Sequence, residues 1–187
     1  MGLGAATFAI LLAAMGPHTN PRITVLVYSP GALPERTLAR AQSIATGILS
    51  QAGVSLAWRN ARAEDAVPAA AEIPLHLLQS RPPSLHHDAE GFAVLHPEPD
   101  VESYAGISCP AVLDTAKWVD GEVPVVLGAA ITHELGHVLL GSAEHSASGV
   151  MSARMRAAEI AAASRGELRF NKAQASRIRA EAVRRNR

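Results

Sequence analysis

Apolar positions change period along the chain, and each change marks an element. Residues 23–28 (ITVLVY) form a β-branched run bounded by Pro21 and by Ser29-Pro30-Gly31, the mark of a largely buried strand and its exit turn. From residue 34 to 52 the period lengthens. Leu38, Ala41, Ile44, Ala45, Ile48, Leu49 and Ala52 recur at three- and four-residue spacing, which predicts a helix, and Gly53 is placed to cap its end. Residues 54–58 alternate as a second strand, and residues 73–78 form a third after a polar, Ala-rich connector. Strand, helix and strand in that order predict a parallel pair with a right-handed crossover.

Residues 80–120 carry a weaker pattern. Pro82-Pro83 and residues 97–100 read as loops flanking strands at 91–95 and 104–107, one of which is expected at the sheet edge. Residues 123–140 are a long apolar run with Pro124 suited to a helix start. An Ala-rich helix is expected over 153–163. Phe170 and Asn171 read as a staple residue and an N-cap that open a last helix to about Arg185, packed through Ala175, Ile178 and Ala182. The predicted class is α/β (α+β): a mixed twisted sheet with a backing helix, a central helix and a C-terminal helix.

At 187 residues and 48% hydrophobic content the chain can bury one sizeable core, so a single domain is expected over residues 17–187. Residues 1–16 differ from the rest. Their uncharged Ala- and Leu-rich run over 3–15 has the length of the apolar region of a secretory signal and is short for a bilayer span. It is read as a signal peptide or N-terminal anchor, implying a secreted or periplasmic protein with no stable membrane span. The lone Cys109 excludes an intramolecular disulfide and is read as a small buried hydrophobe.

Charge is unevenly placed. Residues 1–150 hold seven Lys and Arg against fourteen Asp and Glu, whereas residues 151–187 hold ten against three. The basic tail lacks interleaved aromatics or a known binding signature, so it is read as a solvated helical face that pairs with the acidic half, not as a nucleic-acid surface.

The chemistry lies in the apolar run. His133 and His137 are four apart, one turn above each other on one helical face, so both imidazoles can reach a single Zn²⁺ with Glu134 beside them. A buried triad of this kind needs partners, since unpaired polar groups in an apolar setting cost a few kcal/mol. His86, His87, Asp88 and His96 offer a second, weaker metal-binding set that a polar loop explains equally well.

The string from His133-Glu134-Leu135-Gly136-His137 through Gly141 to His145, closed by Gly149-Val150-Met151, resembles the metzincin zinc peptidases, most of all the short matrixin and archaemetzincin type. The resemblance implies zinc ligands at His133, His137 and His145, a general base at Glu134, a helix break at Gly141 and a methionine turn at Met151. It also implies a metzincin-like catalytic domain, and the activity expected from it is zinc-dependent hydrolysis of a peptide or protein substrate by a monomer. The spacing departs from the family pattern: Gly141 is four residues after His137 where three is usual, and His145 is eight after it where six is usual. One extra helical residue rotates the exit by about 100°. Glu144, or Glu159 in a thermolysin-like ligand set, therefore stands beside His145 as a candidate third ligand. The competing class is a catalytically idle zinc-binding module of the cell envelope, which has no need of Glu134.

Overall fold

The computed structural model describes residues 19–29, 31, 33–62, 64–65, 67–96 and 102–187. The expected leader over residues 1–16 and the loop over 97–100 lie outside the described residues. The chain runs β1 (Arg22–Tyr28), α1 (Glu35–Gln51), β2 (Ser55–Asn60), β3 (Glu72–Leu78), β4 (Gly91–Val94), β5 (Tyr104–Ser108), α2 (Cys109–Trp118), α3 (Val123–Leu140), α4 (Ala157–Ser164) and α5 (Lys172–Arg185). It is an α/β (α+β) fold on a mixed sheet of strand order β2-β1-β3-β5-β4. The β1 to β2 pair is parallel, as strand, helix and strand in series predict, β3 and β5 continue it in parallel, and β4 closes one edge antiparallel to β5.

Alternation decides which side of the sheet is covered. Ile23, Val25 and Val27 of β1 and Ile73, Leu75 and Leu77 of β3 are all at most 1% exposed and belong to the main core. Ala41, Ala45, Ile48 and Leu49 supply the buried stripe of α1, and Trp58 of β2 donates its indole N–H to Thr46 Oγ1 at 2.9 Å, fastening strand to helix. Helix α3 touches α1, α2, α4, α5, β4 and β5. That encirclement explains why it is apolar nearly all round; its length and hydropathy would suit a membrane span, yet 83% of it is buried inside the fold.

Three expectations change. Helix α2 occupies part of the region read only as loops and strands. Its signals are short: Ser108 as N-cap, Pro110 in the first turn, and Cys109, Val112 and Ala116 buried at helical spacing. The Ala-rich helix begins at Ala157 instead of 153: Ser152 still belongs to the turn, bridging to Ser146, and Arg156 is extended, with its N–H capped by Glu159. The basic tail also pairs mainly with itself: Arg184 and Arg185 both hold Glu181, Arg165 holds Glu167, and Arg154 to Asp88 is the ion pair that crosses to the acidic half among the described residues. Cys109 is buried at the start of α2, and burial raises its thiol pKa.

Candidate metal centre

Helix α3 delivers His133 and His137 on one face and stops at Gly141, whose left-handed φ of 58° ends the helix at no side-chain cost. The chain then doubles back. The Ser142 carbonyl accepts from His137 Nδ1 at 2.7 Å, and Ser146 N–H donates to the Met151 carbonyl at 2.7 Å, closing the loop that carries His145. The ligating atoms of His133, His137 and His145 all lie within 4.8 Å of one another. The three rings sit with centroids 4.7, 5.2 and 4.9 Å apart. Neither Glu144 nor Glu159 joins this group. Glu159 instead accepts from Arg156 N–H at the start of α4, at 3.3 Å.

Beneath the histidines runs the turn at Gly149-Val150-Met151. Val150 and Met151 are fully buried, and the Val150 carbonyl accepts from His133 Nδ1 at 2.8 Å. The turn is anchored from the far side, where Val150 N–H donates to the Arg169 carbonyl at 3.0 Å, just before Phe170 and the capped start of α5. Asn171 and Gln174 satisfy each other's backbone N–H groups there, at 2.9 and 3.0 Å.

These bonds fix the tautomers. A carbonyl oxygen only accepts, so both Nδ1 atoms carry the ring hydrogen, and in the neutral rings both Nε2 atoms present lone pairs. The two Nε2 atoms face each other at 3.0 Å. Two lone pairs at that distance repel unless a proton is shared between them or a metal cation lies beside them. Two nitrogens each about 2.0–2.1 Å from a tetrahedral zinc would be about 3.3 Å apart, so the arrangement fits a metal with little adjustment. Burial drives His133 down to about 4, aided by the neighbouring histidines, and burial also lowers His137, so both stay in the neutral, ligating form. The donor set therefore suits a borderline divalent cation, zinc among them, by chemistry as well as spacing.

Glu134 lies beside this group, 6% exposed. Burial first, and the charge of Glu90 second, push its carboxyl up to about 8. It borders a cleft of about 410 Å³ shared by the three histidines and by Gly91, Phe92 and Ala93 of edge strand β4. The sequence expectation of an edge strand beside the site thus falls on β4.

Glu90 is a residue that sequence reasoning missed. It precedes β4, is 9% exposed, and accepts from Thr115 Oγ1 at 2.7 Å, while burial raises its pKa. Nothing in its neighbours along the chain distinguishes it from an ordinary loop carboxylate. His86, His87 and Asp88 also gather within 4.8 Å, but Asp88 is already shared between His87 and Arg154, at 2.9 and 2.7 Å, and His96 lies outside the group.

No family model, curated protein or solved structure matches this chain. The functional reading therefore rests on the site.

Proposed function

We propose that the protein is a zinc-dependent endopeptidase, with His133, His137 and His145 as metal ligands and Glu134 as general base. The observation that carries this reading is the pair of Nε2 lone pairs facing each other at 3.0 Å, with both ring hydrogens committed elsewhere and a buried carboxylate alongside in an open cleft. Two purely structural histidines would face each other this way only by sharing a proton, and burial disfavours the protonated form of both. A module that only bound zinc would have no use for Glu134.

Zinc held there supplies Lewis acidity, bringing the pKa of a water toward about 7 and polarising a carbonyl. The chain's own residues do the rest. The carbonyls of Val150 and Ser142 hold the two helical imidazoles in the ligating tautomer. A Glu134 carboxylate oxygen takes the proton of the attacking water and returns it to the nitrogen of the leaving amine. Burial that raises this carboxyl also makes its carboxylate a stronger base than an exposed one. Strand β4 ends the sheet order among the described residues, so an extended peptide can add along its outer edge as a further strand. The expected setting is outside the cytoplasm, on the strength of the apolar run over residues 3–15.

Zinc content and cleavage of a broad peptide library by the purified protein, with and without a chelator, test the proposal. Chelator-sensitive cleavage supports it. A zinc-loaded protein that cleaves no peptide, or one whose Glu134→Gln variant cleaves at the wild-type rate, overturns it.

A further inference from the structure

A second cavity of about 310 Å³ opens beside the first, and Asp88, Glu90, Arg154 and Met155 border both. Its own walls add Arg81, Arg156 and the 75% exposed Trp118. Three guanidinium groups thus meet three carboxyl groups, but they are not equally free. Asp88 is shared between His87 and Arg154, at 2.9 and 2.7 Å. Glu90 is buried against Thr115, at 2.7 Å, and burial disfavours its charged form. Asp114 lies 3.7 Å from Arg81, which also donates to the His87 carbonyl at 2.9 Å. Arg156 makes no ion pair among the described residues. Arg154 bonds Asp88 through one of its two terminal nitrogens, leaving N–H groups to spare.

We infer that this second cavity is a specificity pocket for an Asp or Glu side chain of the peptide substrate, received by Arg156 with Arg154. The inference rests on the peptidase reading and names its substrate class. An unpaired guanidinium with a half-used neighbour gives a carboxylate charge-assisted, bidentate bonding, whereas a lysine side chain would meet like charge. The exposed indole of Trp118 offers an apolar wall for the acidic residue's methylene stem. Because the two cavities share a border, the acidic residue stands at a fixed number of positions from the bond cleaved.

Two readouts test it on the zinc-loaded full chain, using peptides with amidated C-termini. Cleavage of a library randomised on both sides of the scissile bond reads the preferred position. Titration calorimetry with the Glu134→Gln variant reads binding without turnover. A preference of roughly five- to tenfold for Glu over Gln at one position is expected, with Lys worst. Arg156→Glu should invert the Glu-to-Lys ratio, and Arg156→Lys should retain most of it. Equal affinity for Glu and Gln peptides overturns the inference, as does a preference that appears only when the C-terminal carboxylate is left free. An acidic preference in calorimetry without any cleavage by the wild type supports the pocket and overturns the peptidase reading alone.

Discussion

The sulfur of Met151 fills the space that a Cβ on Gly136 would occupy, 2.6 Å from that position. The turn beyond the third histidine is thereby packed directly under the helix that carries the first two. Val150, next to Met151, holds His133 through its carbonyl, so packing beneath the site and orientation of that imidazole are coupled.

Met151→Ala should therefore act on both stability and metal. Removing a fully buried methionine leaves a cavity, with an expected loss of about 2–5 kcal/mol, while Met151→Leu should cost less than about 1.5 kcal/mol. Urea unfolding of the metal-free protein measures this. Zinc affinity should fall roughly 10- to 100-fold in the alanine variant, as for other losses of support to a ligand. An alanine variant of unchanged stability would mean that the turn is not packed as described.

Zinc should bind at one ion per chain, and His145→Ala should lose it or bind it far more weakly. Glu144→Gln and Glu159→Gln should retain full occupancy, since neither carboxylate lies in the histidine group. Metal analysis after dialysis decides the matter. Full occupancy in His145→Ala would remove this histidine from the site.

Glu134→Gln should keep both fold and zinc, because Glu134 lies outside the histidine group, and lose about 10²–10⁴-fold in cleavage rate. Zinc content must be measured alongside the rate, so that a lost metal is not mistaken for a lost base.

Glu90 gives the fold a pH dependence of definite sign. Burial raises its carboxyl pKa in the folded state, so above the ordinary carboxylate range the folded protein holds a proton that the unfolded chain has released. Its contribution to stability is intact at acid pH and is lost as pH rises through that window. Glu90→Gln removes the ionisation while keeping an acceptor for Thr115. The variant should gain stability relative to wild type as pH increases, by about 1.4 kcal/mol for each tenfold weakening of the acid that burial causes. Chemical unfolding of both metal-free proteins from about pH 4, near the ordinary carboxyl value, up to about pH 8 measures the difference. A gap that stays constant with pH would contradict the assignment.

Much of the fold was legible because its elements announce themselves locally. The β-branched run of β1, the spaced apolar stripe of α1, and the capped start of α5 at Asn171 each carry their signal within a few neighbouring residues. Helix α2 was missed because ten residues provide barely two buried turns, and its Ser108 cap is itself the last residue of β5. The start of α4 was set by the extended backbone at Arg156 beyond the turn that Ser146 and Ser152 bridge, which no helical propensity could reveal.

The sequence by itself determined that His133 and His137 share a face, because the period of a helix fixes that relation without reference to the rest of the chain. It also pointed to His145 and to a turn at Met151. Only the tertiary structure decided that two extra residues after His137 still return His145 to the same place. That outcome depends on the left-handed turn at Gly141, the Ser142 bond to His137 and the closure from Ser146 to Met151. Glu90 likewise became part of the site only through folding. Its carboxyl meets Thr115 of α2 and acts on Glu134 of α3, and a side chain's environment is set by distant segments that sequence spacing does not describe.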